Sequence, residues 1–255
     1  MILDHYNAEE KLFVKQVLDY KNRVINNNRP ILTKFLDIRK QEIISQVLGK
    51  NSGLNYDFYS PISDGNYKRC LISPFEIKQE DFKVCLLKIE YNPRYLTLNN
   101  RNILGNIMGM QIDRNVIGDI VISANKECYF ACSNEMKKYL IDNLKVINHM
   151  PVTLIEMDNN EEIINDIDYE YKKVFVKSLR LDIVLSHVYN ISRDISKDLI
   201  SQKYVKINYK LIENTSQNIK TCDIIITRTK GKFQIEEIGG PNKSNNYIVN
   251  VKIYR

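Results

Sequence analysis

Three clusters in this chain have the residue types for a chemical task. They are Ser178-Leu179-Arg180-Leu181-Asp182, the pair Ser192-Arg193 further on, and Val205-Lys206-Ile207-Asn208 beyond that. The chemistry they suit is anion binding, with guanidinium and ammonium groups gathered on short elements. Residues 172–210 carry nine basic side chains (Lys172, Lys173, Lys177, Arg180, Arg193, Lys197, Lys203, Lys206 and Lys210) against Asp182, Asp194 and Asp198. That excess of six equals the +6 formal charge of the whole 255-residue chain. The remainder is balanced, so the positive field is concentrated where a polyanion could use it.

The elements that must position these cations are legible from spacing. Leu181, Val184, Leu185 and Val188 fall at i, i+3, i+4 and i+7, which predicts an amphipathic helix over 179–189 with Ser178 as its N-cap. Ser192 should cap a second helix over 193–202, with Ile195, Leu199 and Ile200 turned inward. Arg193 and Lys197 then share an outer face, one turn apart. Tyr204 to Ile207 alternates as a strand, Asn208-Tyr209 makes a turn, and strands over 224–227 and 233–238 join through Lys230-Gly231-Lys232. Two short helices leaning on a small antiparallel sheet leave a groove edged with cations. Such an edge suits the shape and phosphates of folded RNA better than it reads base sequence. The expected phosphate contacts are Arg180, Arg193, Lys197, Lys203 and Lys206, with Lys210 and Lys232 on the hairpin side as secondary ones. Asp182 reads as structural, holding Arg180 or a backbone donor near the helix start.

Other chemistries find little support. The five cysteines (Cys70, Cys85, Cys128, Cys132 and Cys222) form no Cys-x-x-Cys pair, and Cys128 and Cys132 read as buried free thiols. His5, His149 and His187 are too far apart for a local metal motif, so no metal and no cofactor is expected. Nine glycines scattered singly supply no cofactor-binding turn, and no nucleophile–base pair is readable at close spacing. A non-enzymatic RNA-binding protein is the favoured class. An RNA-modifying enzyme (pseudouridine synthase-like or methyltransferase-like), with any catalysis in residues 1–157, is the alternative, and an adaptor binding another protein through its N-terminal helices is a third.

Along the chain, residues 1–52 read as a helical segment. Phe13, Val17, Tyr20 and Val24 keep helical spacing, Asn26-Asn27-Asn28 breaks it, and a second helix is expected from Thr33 to near Gly49. Residues 53–157 read as a small α+β domain, RRM-like or ferredoxin-like. Its strand-like runs are 69–72, 82–89, 119–123, 128–132 and 152–157, and its helices 101–110 and 134–147. Tyr129 and Phe130 lack the Gly and basic neighbours of an RNA-stacking strand, and core packing is expected of one of them. Asp158, Glu161, Glu162, Asp166, Asp168 and Glu170 crowd residues 158–170 without a base, which marks 158–175 as an acidic linker. The basic module then spans 176–240 and a tail 241–255. No run of about 18 apolar residues occurs, and the first ten residues lack a signal pattern. A cytoplasmic protein, monomeric and without membrane contact, is expected.

The run from Lys177 to Gly240 resembles the RNA-binding domain of ribosomal protein S4. The resemblance is carried by Ser178, Arg180-Leu181-Asp182, Leu185, Ser192-Arg193, Ile200, Val205, Ile207-Asn208 and Asp223-Ile224. Lys203, Tyr209 and Cys222 stand where that family usually has glycine, each at a turn. Upstream, Ile103-Leu104-Gly105-Asn106-Ile107-Met108, Arg114 and Ile117-Gly118-Asp119-Ile120, with the later Glu237-Ile238-Gly239-Gly240, look like the YlmH family. Asn100 and Asn102 replace the His and Asp expected there, and Gln111 a Gly. Gly118-Asp119 is read as a tight turn into a strand. The resemblance implies N-terminal helices, an RRM-like domain and a C-terminal S4 domain in a bacterial cytoplasmic protein. It further implies binding to structured RNA, rRNA and peptidyl-tRNA, on the large ribosomal subunit, in rescue or quality control of stalled subunits, and a genetic association with cell division.

Overall fold

A computed structural model describes residues 6–49, 53–63, 65–123, 125–158, 163–164, 169–241 and 246–254. The chain divides into two compact units, Met1–Asp166 and Ile167–Arg255.

The first unit begins with α1 (Ala8–Asn27), β1 (Ile31–Leu36), α2 (Ile38–Leu48), β2 (Asn55–Tyr59), β3 (Ile62–Ser63) and β4 (Lys68–Ser73). A reciprocal cap opens α1: the Asn7 side chain accepts from the Glu10 amide and the Glu10 carboxylate accepts from the Asn7 amide, both at 2.9 Å. The helix expected from Thr33 starts later. Ile31–Leu36 is a strand, and Asp37 caps α2 by accepting from the Lys40 amide at 2.9 Å. Residues 1–52 are therefore not wholly helical. Strand β1 pairs with β4, some forty positions away, and that long-range pairing overrides local helical spacing. The sheet order is β1-β4-β2, so the 69–72 run belongs here and not to the RRM-like sheet.

Next come β5 (Val84–Glu90), α3 (Asn100–Gly109), β6 (Ile117–Ile122), β7 (Cys128–Ser133), α4 (Asn134–Asn143), the small hairpin β8 (Val146–Ile147) and β9 (Met150–Pro151), β10 (Thr153–Met157), and β11 (Ile163–Ile164), which pairs with β3. The antiparallel sheet β10-β5-β7-β6 follows a β-α-β-β-α-β chain order, which is the ferredoxin-like and RRM-like topology. Helices α3 and α4 cover one face through Ile103, Ile107 and Leu140, packed on Leu87, Ile89 and Phe130. Helix α4 stops at Asn143, short of the expected residue 147, because Val146–Ile147 pairs with β9.

The opposite face of this sheet is closed as well. Leu86, Val121, Tyr129 and Ala131 pack against Phe35, Ile62, Leu71 and Phe82. Both Tyr129 and Phe130 are buried, on opposite faces of β7. On the outer side of the three-stranded sheet, Leu36, Cys70 and Ile72 meet Val17, Val24, Ile44 and Leu48 of α1 and α2. Four layers result: helices, sheet, sheet, helices.

The Arg114…Gly118-Asp119 motif lies at the seam between the two sheets. Gly118 and Asp119 are inside β6 beside a bulge, not in a turn. A Cβ on Gly118 would lie 2.8 Å from the Phe35 ring and 3.0 Å from the Ala131 methyl carbon. Asp119 is buried and accepts from the Tyr67 amide at 2.8 Å. Burial pushes its carboxyl above the usual range, against the pull of backbone hydrogen bonds from Tyr67 and Asn66. Arg114 lies over the Tyr67 ring, 4.2 Å from its centroid, and donates to the Ile117 carbonyl. Arg69 adds a latch, donating to the Thr33 and Lys83 carbonyls at 2.7 and 3.0 Å.

The second unit contains β12 (Tyr169–Val176), α5 (Leu181–Tyr189), α6 (Arg193–Ser201), β13 (Val205–Ile207), β14 (Lys210–Leu211), β15 (Ile224–Thr227), β16 (Gly231–Gly239) and β17 (Tyr247–Tyr254). They form one antiparallel sheet in the order β12-β17-β16-β15-β13-β14. Helices α5 and α6 cover one face through Leu181, Val184, Leu185, Val188 and Ile200 on Val205, Ile225, Phe233, Val249 and Val251. Two expected boundaries move. Residues 169–175, expected as linker, are strand, and the expected tail supplies β17, flanked by β12 and β16. Val249, Val251 and Ile253 face the core at period two, and no β12 could join the sheet without them. Of the acidic block, only Asp158 and Glu170 lie among the described residues.

Substituting Gly118 by Ala should destabilise the first unit by about 1–3 kcal/mol through overpacking against Phe35. Chemical denaturation should show a lower midpoint, and Gly118→Ala combined with Phe35→Leu should recover part of the loss.

Candidate nucleic-acid interface

Helix α5 is fastened at both ends by cations. At its start, Asp182 is fully buried, with no exposed surface. Arg180 donates to it through Nε at 3.0 Å and a terminal nitrogen at 3.2 Å, and Arg193 Nε, from the first turn of α6, donates to Oδ2 at 2.9 Å. Burial alone would raise the Asp182 carboxyl. The hydrogen bonds and charges of the two arginines outweigh it and hold the group below the usual carboxylate range. At the other end, Lys172 of β12 donates to the His187 and Val188 carbonyls at 3.1 and 2.6 Å, where the helix leaves acceptors unpaired. Lys172 is therefore engaged inside the fold, although it contributes to the basic excess.

The clamp at Asp182 sets two guanidinium groups side by side. Their side chains remain 34% and 50% exposed for Arg180 and Arg193, so their outward N–H donors face solvent while the inward ones hold the carboxylate. Two cations on one anion leave the clamp itself with a net charge of +1. Arg180 is itself the N-cap residue of α5, and Ser178 Oγ accepts from its amide at 3.4 Å. Ser192 caps α6 as expected, accepting from the Ile195 amide at 3.2 Å.

The seven expected contact residues do not share one face. Lys197 follows Arg193 by one turn of α6 and pairs with Asp194 at 3.3 Å. Lys203 lies at the turn after α6 and pairs with Glu213 at 3.1 Å. Both ion pairs are exposed and weak, so a phosphate can replace the carboxylate. Lys210, opposite Ile207 in the hairpin register, is on the helix side of the sheet at its edge. Lys206 and Lys232 point to the other face. Lys206 alternates with the buried Val205 and Ile207, and Lys232 precedes the buried Phe233. Lys206 has no ion-pair partner among the described residues, and the Lys232 ammonium rests 3.8 Å from the Tyr254 ring centroid.

The hairpin geometry explains the remaining motif residues. Asn208 and Tyr209 form a two-residue loop with φ of +48° and +64°, the sign a tight hairpin requires. Asn208 Nδ2 donates to Asp223 Oδ1 at 2.8 Å, and Asn208 Oδ1 accepts from the Ile224 amide at 2.8 Å. That reciprocal pair ties the turn to β15. Lys203, Tyr209 and Cys222, the three residues in place of glycine, have φ of +62°, +64° and +68°. Sequence reasoning located these three positions but missed Lys172, whose role depends on β12 lying beside α5.

Known proteins carry the same two parts. The family profile described as "Putative RNA-binding domain in YlmH" matches residues 77–161, which encloses the β10-β5-β7-β6 sheet. The S4 domain profile matches residues 179–225, from the start of α5 into β15. The class is thus a protein of two RNA-binding-type domains ending in an S4 module. "Ribosome-associated protein quality control protein P2" of Bacillus subtilis (strain 168) is 29% identical over 250 residues, covering 97% of this chain and 96% of that protein. The solved structure "Cell division protein ylmH from Streptococcus pneumoniae" has the same fold over 64% of this chain and 99% of its own, with a TM-score of 0.55 and 23% identity. This chain therefore carries a YlmH-type RNA-binding domain and an S4 domain.

Two measurements test this geometry. Asp182→Asn should cost about 2–3 kcal/mol at neutral pH by weakening charge-assisted hydrogen bonds. Because the folded-state pKa of Asp182 is depressed, its contribution is present above the unfolded value of about 3.9 and is lost as pH falls through the folded value. Unfolding followed from pH 5 downward should therefore show a shallower loss in Asp182→Asn than in the parent. Separately, Cys222→Gly should relieve the left-handed backbone by about 1 kcal/mol, partly offset by a freer unfolded chain. A melting temperature higher by about 2–4 °C is expected, with no gain in Cys222→Ala.

Proposed function

We propose that this chain is a non-enzymatic RNA-binding protein that docks on structured RNA of the large ribosomal subunit through the α5–α6 edge. The observation that carries the reading is the pair Arg180 and Arg193, held side by side on the buried Asp182 with donors facing outward. Pre-set guanidinium forks bind phosphate at little ordering cost. Lys197 and Lys203 extend the row, each released from a weak surface pair. The S4 profile over these elements and the ribosome-associated quality-control relative support this target. Contacts of this kind read phosphate position and helix shape, not base identity. rRNA and peptidyl-tRNA on a stalled large subunit are the ligands, bound together where their phosphates approach.

Sucrose-gradient sedimentation of tagged protein from lysate, at low and moderate salt, tests the reading. Co-migration with the large subunit is expected, weakened in Lys197→Ala and lost in the Arg193→Ala/Lys197→Ala double variant. Lys197→Ala leaves the Asp182 clamp untouched, so a folding defect cannot explain its effect. In equilibrium binding to an rRNA fragment, each lost contact should flatten the log–log salt dependence by roughly one unit. Protein remaining at the top of the gradient at both salts would overturn the large-subunit assignment.

A further inference from the structure

The sheet of the second unit has one face covered by α5 and α6 and another that nothing among the described residues covers with apolar side chains. On β12 side chains alternate between the two faces. Val174 and Val176 turn inward, while Tyr169, Tyr171, Lys173 and Phe175 turn outward. Across the register, Tyr169 faces Tyr254, Tyr171 faces Lys252, and Phe175 faces Ile248. Tyr171 is 71% exposed and Phe175 49%, unusual values for large rings on a sheet. Tyr169 and Tyr254 meet edge to face with centroids 5.2 Å apart, and the Lys252 ammonium lies 3.7 Å from the Tyr169 centroid. Lys173 has no ion-pair partner among the described residues. Solvent-facing aromatic rings interleaved with lysines on an open sheet are what unpaired bases and their phosphates require: rings for stacking, ammonium groups for charge.

We propose that the outer face of β12 and β17 is a second RNA surface, which stacks the bases of a single-stranded segment on Tyr171 and Phe175 and neutralises its phosphates with Lys173 and Lys252. Charge complementarity selects this occupant. A second copy of the chain seated on the same face would set these lysines against their own equivalents, a repulsive arrangement on an edge strand. The fold supports the division of labour. In the first unit, the sheet face that an RRM-like domain would offer to bases is filled by Phe35 and Leu71, so base stacking has no open sheet there. The α5–α6 edge presents the guanidinium and ammonium groups of Arg180, Arg193, Lys197 and Lys203. Contacts to the phosphates of folded RNA and contacts to an unpaired segment thus fall on opposite faces of one sheet.

The test uses the full chain and a fluorescently labelled twelve-nucleotide oligoadenylate, with binding followed by anisotropy at low salt. Tyr171→Ala/Phe175→Ala should weaken binding by at least about fivefold per stacked base, while Tyr171→Phe, which keeps the ring, should stay within about twofold. The side chains replaced are exposed, and unchanged melting would confirm intact folding. Lys197→Ala should leave oligoadenylate binding in place while reducing binding to folded rRNA, so failure of this surface and failure of the helix edge are distinguishable. Equal affinity in parent and double variant, or no binding by the parent, would overturn the proposal. So would a concentration-dependent dimer in analytical ultracentrifugation that the double variant abolishes, since the face would then be a contact between copies.

Discussion

A carboxylate with no exposure must be matched by cations in place, because the cost of removing it from water is recovered only through close, hydrogen-bonded partners. In this chain that carboxylate is Asp182, and its partners are Arg180 on its own helix and Arg193 on the next. The pairing fixes where α6 begins relative to α5, and it fixes where two guanidinium groups stand. Lys172 then anchors the far end of α5 from β12. At the far end charge and helix dipole agree, an ammonium at the last carbonyls, whereas at the start only Asp182 suits the dipole and the two arginines are held by its carboxylate. The basic edge is therefore the outer side of a structural clamp. Its cations are part of what holds the helix pair together.

The first unit shows how a fold can keep its topology and lose its usual working surface. The β10-β5-β7-β6 sheet has RRM-like connectivity, yet Phe35, Leu71 and Phe82 close the face that bases would occupy. Gly118 admits the Phe35 ring, and Asp119, Arg114 and Arg69 supply polar ties around it. The motif at residues 114–120 that carries the YlmH resemblance thus joins two sheets. Connectivity and function separate here because a sheet has two faces, and the chain order says nothing about what covers the second.

Much of the second unit was legible in the sequence. The α6 boundaries agree to within one residue because Ser192 is a true cap, but the inner face differs: Ile195, expected inward, is 49% exposed, and Ser196 is buried beside Ile200. The Asn208-Tyr209 turn and the strand over 224–227 were equally clear, because turn chemistry and period-two alternation are local. Errors fell where a strand needs a distant partner. Local spacing starts the second helix at Thr33, inside β1, and places all of β12 but Val176 in a linker and β17 in a tail. The 247–254 run alternates as openly as any strand in the chain, but it lies beyond the positions that carry the S4 resemblance. The acidic residues before β12 made its first turns look solvated.

The Ser192 cap, the Asn208-Tyr209 turn, the clustering of positive charge and the S4 module are readable along the chain, because each depends on neighbours a few positions away. Which cations stand together follows from long-range packing. Arg180, Arg193, Lys197, Lys203 and Lys210 are on the helix side or its edge, while Lys206 and Lys232 face the other way. Strand alternation separates two faces by parity alone. Which of them receives the helices, which is buried under a second sheet and which stays open depends on contacts between residues tens of positions apart, and no local spacing encodes those.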